Sequence, residues 1–264
     1  MKKEKQVAVI TGGSSGIGRA AARLFADRGW TVYELSRREI PADKITHITA
    51  DVTDPDSLSA AFAQVFEKEG RLDLVVCNAG FGISGAVELT QIEEAKKQFD
   101  VNFFGTVRTI QAALVYFRKT GAGKIINLSS VAAPLSIPYQ AFYSASKAAI
   151  NDLTLALANE LRPFGITACA VMPGDAQTGF TDAREKSRED KTLYGGKIER
   201  SVAVMEKDER SGMPPEKVAK VIYKAAMKKH PKPLYTAGGK YKLFVVLAKI
   251  LPARFTNYIV GKLY

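Results

Sequence analysis

Residues 7–18 decide the fold of this chain, and they read Val-Ala-Val-Ile-Thr-Gly-Gly-Ser-Ser-Gly-Ile-Gly. The apolar run at 7–10 predicts a buried strand, and the amphipathic pattern from Ile17 to Arg28 predicts a helix directly after the glycines. Glycine permits a positive φ and carries no Cβ, so its backbone can approach a phosphate, and the free N–H groups at a helix start attract that anion. The stretch therefore predicts a nucleotide site between the first strand and the first helix.

The glycine spacing in this turn is Gly-x-x-x-Gly-x-Gly, which differs from the Gly-x-Gly-x-x-Gly dinucleotide fingerprint and from a P-loop. Taken alone, the turn is also compatible with a plain tight connection between a strand and a helix. Its place in the first strand–turn–helix unit favours the nucleotide. The residues of this turn that we expect to contact the cofactor are Gly12, Ser14, Ser15, Gly16, Ile17 and Gly18.

Apolar runs and amphipathic stretches alternate through the rest of the chain. Strands are predicted at 31–35, 45–50, 72–77, 124–128, 166–172 and 234–236, and helices at 57–69, 91–119 and 141–161. Short, two-sided apolar strands separated by helices indicate a parallel sheet that is covered on both faces. We expect a single α/β domain over residues 1–264, a Rossmann-type doubly wound parallel sheet of about seven strands flanked by helices, with a C-terminal helical extension.

The composition is that of a globular protein, because 46% of the 264 residues are hydrophobic and 25% are charged, which excludes a disordered or collagen-like chain. The apolar run at 243–248 is far shorter than the ~20 residues that span a bilayer, and the N-terminal residues predict no signal peptide. We therefore expect a cytoplasmic protein. Cys77 and Cys169 lie in apolar runs and are expected to be buried, reduced thiols, and the two histidines predict no metal site.

The net charge of +11 is concentrated toward the C-terminal end. Residues 213–264 contain 11 of the 38 lysines and arginines but only one of the 27 acidic residues, whereas residues 1–212 are nearly neutral. Because this is not the even basic face of a nucleic-acid-binding protein, we expect no nucleic-acid partner.

The end of the second predicted strand, Glu34-Leu-Ser-Arg-Arg38, indicates which dinucleotide is bound. An acidic residue here binds the 2′-hydroxyl of NAD, and an arginine accepts the 2′-phosphate of NADP. Ser36 occupies the acid position and Arg37 and Arg38 follow it, and a forked guanidinium matches a phosphate. NADP(H) is therefore the predicted cofactor, although Glu34, two positions earlier within the strand, would favour NAD.

Residues 175–212 interrupt the alternation, since they contain 17 charged residues and show little periodicity. A long structureless segment inside a compact domain is commonly mobile or functional. A solvated insertion and a lid beside the substrate are both compatible with it. The lid is favoured because the segment follows the carboxyl end of a strand, where open α/β sheets bind ligands.

Tyr143 and Lys147 share one face of a predicted helix, because residues four apart are neighbours on a helix. This spacing is weak by itself, and Tyr258 and Lys262 repeat it in the tail. What distinguishes Tyr143 is a serine pair at the end of a predicted strand 13 residues before it. The candidate catalytic residues are Ser130, Tyr143 and Lys147, together with Asn102, which is expected at a helix start.

Further segments accompany these residues in a fixed order: the Gly12/Gly16/Gly18 turn, Ala50-Asp51-Val52, Asn78-Ala79-Gly80, Asn102, Ser130, Tyr143 with Lys147, and Pro173-Gly174 with Thr178. In this order and spacing the chain resembles the short-chain dehydrogenase/reductase (SDR) family over residues 5–236 and onward to its end. Two positions depart from the family pattern. Cys77 stands where the family more often has Asn, and Ser15 stands where many NADP-preferring members have a basic residue, which leaves Arg37 and Arg38 to hold the phosphate.

The resemblance implies an oxidoreductase that interconverts a carbonyl and an alcohol. Tyr143 would be the general acid and base, Ser130 would hydrogen-bond the reacting oxygen, and Lys147 would favour the phenolate and bind the nicotinamide ribose. Asn102 would hold a water that relays protons from Lys147. The resemblance implies further cofactor contacts: Ser36, Arg37 and Arg38 at the 2′-phosphate, and Asp51 and Val52 at adenine. Asn78, Ala79 and Gly80 would lie on the adenosine side. Pro173, Gly174 and Thr178 would also contact the cofactor, with Thr178 at the carboxamide.

The tail at residues 240–264 combines apolar residues with lysines and predicts a basic amphipathic helical segment interrupted at Pro252. A flap over the substrate pocket, a subunit interface and a peripheral membrane contact are all compatible with it. The flap is favoured because the pocket needs a wall. Family members that act on hydroxysteroids or retinoids have comparable extensions, which implies a lipophilic alcohol or ketone, steroid-, retinoid- or lipid-like, with an anionic end that the lysines would attract.

The resemblance also implies a homodimer or homotetramer, assembled through the helices at 101–119 and 141–161. A different class of function stays open, an NADP(H)-binding sensor that acts through its basic tail. Epimerase or dehydratase chemistry on a nucleotide sugar would require a larger C-terminal substrate domain than this chain offers.

Overall fold

Nine strands form within residues 5–264, the part of the chain that the computed structural model describes. They are β1 (Val7–Thr11), β2 (Thr31–Ser36), β3 (Ile45–Thr49), β4 (Leu74–Cys77), β5 (Ile83–Ser84), β6 (Gly123–Leu128), β7 (Ile166–Pro173), β8 (Glu185–Lys186) and β9 (Leu234–Ala237). Seven of them form one parallel sheet in the order β3-β2-β1-β4-β6-β7-β9, and β5 pairs with β8. The winding reverses between β1 and β4, the point at which open α/β sheets bind ligands.

The helices cover both faces of this sheet. They are α1 (Gly16–Asp27), α2 (Pro55–Glu69), α3 (Ile92–Phe99), α4 (Gly105–Thr120), α5 (Ala132–Leu135), α6 (Ala141–Glu160), α7 (Lys191–Tyr194), α8 (Lys197–Arg210), α9 (Pro215–Ala226), α10 (Gly239–Ile250) and α11 (Ala253–Leu263). A π-helical segment, Asp100–Phe104, joins α3 to α4. The predicted doubly wound, seven-stranded parallel sheet is confirmed.

Alternation along the strands divides the core into two layers. Val7 and Val9 of β1 face the layer formed by α2, α4 and α6, where Phe62 and Phe117 are fully buried. Ala8 and Ile10 face the layer formed by α1 and α9. Because successive strand residues point to opposite faces, a strand covered on both sides is apolar on both, as β1 is from Val7 to Ile10.

The segment 175–212 is not structureless, so that expectation was wrong. It contains β8, α7 and the 14-residue α8. The buried side chains of α8, Ile198, Val202 and Met205, are spaced at three and four residues and form one apolar stripe. Dense charge on the other faces of α8 hides this stripe when the segment is judged by composition.

The tail folds as α10 and α11, separated at Pro252. Tyr241 and Val245 of α10 pack against Val131 and Met172 at the carboxyl ends of β6 and β7. Within residues 5–264 every helix is too short or too polar to cross a bilayer. Cys77 and Cys169 are buried and unpaired, and no cluster of three or more potential metal ligands occurs among the described residues.

Candidate active site

A cavity of about 420 Å³ opens at the carboxyl ends of β1, β4, β6 and β7. It brings together most of the residues singled out from the sequence. Among those that line it are Gly12, Ser14, Ser15, Gly16, Ile17, Arg38, Asn78, Ala79, Gly80, Ser130, Tyr143, Lys147, Pro173, Gly174 and Thr178. Six others do not line it: Gly18, Ser36, Arg37, Asp51, Val52 and Asn102.

The glycine turn at one end of the cavity has the shape of an anion cradle. Gly12 and Gly16 adopt φ of +65° and +52°, the left-handed region that favours glycine. α1 begins at Gly16 with no acidic residue in its first turn, and its N-cap Ser15 makes no side-chain hydrogen bond to the helix. The first N–H groups of α1 are therefore available to a pyrophosphate, and the dipole of the helix favours one.

Asn78 and Gly18 hold this turn in place. The Asn78 side-chain amide donates to the carbonyl oxygens of Thr11 and Gly12, at 3.0 Å each. Gly18 is enclosed between the Gly12 carbonyl and the Asn78 amide, and a Cβ at that position would overlap both. Gly18 therefore packs against the turn without lining the cavity, whereas Asn78 both supports the turn and lines the cavity.

The end of β2 places its polar residues in different environments. Arg38 lines the cavity. Arg37 lies toward Asp51. Burial alone would raise the pKa of the Asp51 carboxyl, but hydrogen bonds from Thr53 and the charges of Arg37 and Arg108 hold that pKa below its usual value. Ser36 donates to the Arg38 carbonyl at 2.9 Å.

Glu34, the residue that would favour NAD, is buried beneath the glycine turn and hydrogen-bonded to Nδ1 of His47 on β3. A Cβ on Gly13 would overlap the Glu34 side chain, which shows how closely the turn covers it. One oxygen of this carboxylate is thus bound to His47, and Glu34 does not line the cavity.

The catalytic candidates meet because α6 packs across the end of β6. Ser129 donates to the Lys147 carbonyl at 2.9 Å, and Lys147 Nζ donates to the Leu128 carbonyl at 2.8 Å. Lys147 Nζ lies 5.7 Å from the centre of the Tyr143 ring. Ser130, next along the chain, then lies close enough to hydrogen-bond the Tyr143 hydroxyl.

Burial controls the protonation of this pair. It raises the pKa of Tyr143 to about 12, and the hydrogen bond from Ser130 opposes that rise only in part. Burial also lowers the pKa of Lys147 from 10.5 to about 8. Both shifts have the same cause, since burial disfavours the charged form of each group, and Tyr143 carries its proton at neutral pH.

The buried lysine predicts a pH dependence of stability that a variant can isolate. Between pH 8 and 10.5 an unfolded Lys147 is charged while the folded one is neutral, so the unfolded state binds more protons and stability rises with pH. We expect this residue to contribute about 3 kcal/mol of rise over that window. Lys147→Met should lack that increment, as measured by urea unfolding of both proteins at pH 7.5 and 10. Equal increments in the two proteins would contradict the burial argument.

Asn102 is fully buried in the π-helical segment, in the middle of a continuous helical run instead of at a helix start as expected. Its side-chain oxygen accepts from the N–H of Phe81 and its amide donates to the Phe81 carbonyl, both at 3.0 Å. The segment contains no glycine or proline that would reveal it in the sequence. π-Helical turns occur frequently at functional sites.

Asp51 and Val52 lie beyond the cavity, after β3. Asp51 accepts hydrogen bonds from the backbone N–H and the hydroxyl of Thr53 at 2.9 and 2.8 Å. Val52 packs against Gly105 at the start of α4, where a Cβ would overlap it. Both residues therefore support the wall on the β3 side.

Several residues that line the cavity were missed by the sequence reasoning, and most come from the segment after β7 or from loops. The ring of Phe180 lies 5.6 Å from that of Tyr143. Glu209 of α8 is bound by the buried Arg184 and accepts from Thr181 at 2.7 Å. No local motif marks these positions. They include Phe81, Val131, Ile137, Gln140, Asp175, Phe180 and Glu209.

Comparisons with known proteins find relatives over most of the chain. A family model described as short chain dehydrogenase matches residues 6–189. The chain is 40% identical over 271 residues to a 3-ketodihydrosphingosine reductase of Bacteroides thetaiotaomicron, with 99% of this chain and 98% of that protein covered. It is 33% identical to a probable short-chain type dehydrogenase/reductase of Helicobacter pylori, with coverage of 94% and 93%.

Solved structures show the same fold. A short-chain dehydrogenase from Streptomyces avermitilis superposes with a TM-score of 0.84 at 30% identity, over 99% of this chain and 98% of the other. ElxO with NADP bound gives a TM-score of 0.75 at 27% identity, over 90% and 99%. A Burkholderia phymatum short chain dehydrogenase/reductase in complex with NAD gives 0.82 over 94% of each chain, and at 23% identity it supports the fold alone.

Proposed function

The chain belongs to the short-chain dehydrogenase/reductase family of oxidoreductases, and from that premise we propose that it uses NADPH to reduce the ketone of a long-chain lipid to a secondary alcohol. One observation carries the proposal: Ser130, Tyr143 and Lys147 line the same cavity as a glycine turn shaped for a pyrophosphate. A phosphate cradle and an acid–base pair in one cavity are what hydride transfer to a carbonyl requires.

The side chains divide the chemistry between them. A bound nicotinamide supplies the hydride. The Tyr143 phenol, protonated at neutral pH because burial raises its pKa, donates a proton to the carbonyl oxygen as that oxygen becomes negative. Ser130 orients the same oxygen by a hydrogen bond, and Lys147 replenishes the proton on Tyr143.

The residues present fit a dinucleotide. Gly12, Gly16 and the α1 N-terminus would hold the pyrophosphate, Lys147 the nicotinamide ribose, and Thr178 the carboxamide. Arg37 and Arg38 would hold the 2′-phosphate of NADP. The sequestration of Glu34 by His47 supports this preference, because the carboxylate that would favour NAD is buried beneath the turn and does not line the cavity.

Removing the two arginines tests the cofactor. In Arg37→Ala/Arg38→Ala we expect the Kd for NADPH to rise about 150-fold, since each charge-assisted hydrogen bond to a phosphate contributes about 1.5 kcal/mol or more. The Kd for NADH should change less than about threefold. Nicotinamide fluorescence titration measures both. Arg162→Ala, an exposed arginine bound to Asn159, is the matched control. Equal losses for NADPH and NADH would contradict the assignment.

A lipid-like ketone suits the walls of the cavity. Phe81, Val131, Ile137 and Phe180 supply apolar surface, and the polar groups lie near Tyr143. The Bacteroides relative is named for a keto lipid, 3-ketodihydrosphingosine, which favours a lipid over a steroid or retinoid. The function is tested by following NADPH oxidation with 3-ketodihydrosphingosine and with short polar ketones. Equal efficiency with both classes would rule out the lipid assignment.

We further propose a cytoplasmic homodimer or homotetramer. The two helices expected at the interface carry exposed apolar side chains. These are Phe104 just before α4, Val115 on α4 and Leu155 on α6. Two buried, unpaired cysteines suit a reducing compartment.

A further inference from the structure

Helices α10 and α11 expose an unusual amount of apolar surface. Nine of the 18 exposed large apolar side chains in residues 5–264 lie on these two helices. They include Leu243, Val246 and Ile250 on α10 and Phe255 and Tyr258 on α11, and Ile250 is 73% exposed. Single exposed apolar residues are ordinary, but a concentration of them marks an interaction surface.

The charge on the same helices is of one sign. Residues 239–264 contain five basic residues, Lys240, Lys242, Lys249, Arg254 and Lys262, and no acidic residue. Among the described residues, the ion pair recorded for these five is the one between Lys240 and Asp175, at 4.0 Å. Apolar side chains flanked by exposed cations complement the headgroup region of an anionic bilayer.

This charge also argues against self-association through the same surface. A two-fold contact would place the five cations of one copy against the five of the other, without a carboxylate on either helix to separate them. Of the possible occupants, an anionic lipid surface is therefore the one that matches both the apolar and the charged groups.

The surface is joined directly to the wall of the active-site cavity. Tyr241 of α10 hydrogen-bonds Asp175, which lines the cavity, and the absence of a Cβ at Gly174 makes room for the Tyr241 ring. Burial and the Asp175 carboxylate hold the Tyr241 pKa far above its usual value. α11 contacts α5, whose first residue, Ala132, also lines the cavity.

We propose that α10 and α11 form a docking surface for anionic bilayers, through which the enzyme takes its lipophilic substrate from the membrane. Membrane docking is inferred from the apolar and charged groups of the two helices alone. The uptake of a lipophilic substrate through this surface rests on the proposed function. A ketone dissolved in the bilayer then reaches the cavity along α10 without crossing bulk water.

Vesicle co-sedimentation tests the docking surface. We expect binding to vesicles that contain phosphatidylglycerol, weak binding to pure phosphatidylcholine, and release by salt. Ile250→Asp/Phe255→Asp should weaken binding at least about tenfold, and Lys242→Gln/Lys249→Gln about fivefold for each charge removed. Leu193→Asp, at an equally exposed leucine on α7, is the control and should bind as the wild type does.

Four results separate the possibilities. Loss of binding in the tail variants, with reduction of detergent-dissolved ketone unchanged, supports docking. Equal vesicle binding by the wild type and Ile250→Asp/Phe255→Asp overturns the docking proposal. A variant whose only change is a smaller sedimentation coefficient also overturns it, because the surface would then be a subunit interface. A wild type that binds vesicles but reduces no ketone would keep the docking surface and remove the reductase function.

Discussion

Replacing Tyr143 with phenylalanine will lower the rate of ketone reduction at least about 1,000-fold, because the buried phenol is the proton donor in the cavity. NADPH affinity should stay within about twofold, since the substitution removes one hydroxyl and leaves Lys147 and the glycine turn unchanged. The rate is measured as single-turnover NADPH oxidation, and the affinity by nicotinamide fluorescence. A fall in kcat without a rise in KM would place the loss in the chemical step.

Tyr258→Phe is the matched control for this variant. Tyr258 and Lys262 repeat the four-residue spacing of Tyr143 and Lys147, but they lie on the exposed tail. We expect full activity from it. If Tyr143→Phe also kept full activity, the catalytic assignment would fail and the nucleotide-binding sensor would become the better interpretation.

Substituting Gly18 with alanine will have the second large effect, on stability and on cofactor binding together. The added Cβ overlaps the backbone carbonyl of Gly12 and the Asn78 amide, neither of which can move without deforming the turn. We expect the free energy of unfolding to fall by about 2–3 kcal/mol, as in other overpacked sites. The Kd for NADPH should rise at least about 100-fold, because the N–H groups of α1 no longer converge on the pyrophosphate.

Gly261→Ala provides the comparison. Gly261 also lies within a helix, α11, and a Cβ there meets nothing within 4 Å. Alanine at this position should raise stability by up to about 1 kcal/mol through its greater helix propensity and leave NADPH binding unchanged. Urea unfolding and fluorescence titration of both variants test the pair. Wild-type affinity in Gly18→Ala would show that the turn is not the phosphate site.

The sequence was sufficient for the sheet and for the position of the site. β1, the glycine turn and α1 are adjacent in the chain, so a short stretch contains both the apolar pattern and the conformational signal of glycine. The same holds for Tyr143 and Lys147, whose four-residue spacing on α6 fixes their relative direction. Local patterns of this kind are readable because hydrophobic periodicity and turn chemistry act over a few residues.

The environment of each group was decided only by tertiary structure. Burial raises the pKa of Tyr143 and lowers that of Lys147, and the four-residue spacing of the pair carries no sign of either shift. Glu34 was a candidate cofactor ligand until β3 placed His47 beside it. The π-helical turn at Asn102 and the apolar stripe of α8 likewise carry no short-range signal. Desolvation and pairing depend on residues far apart in the chain, so they exist only once the chain has folded.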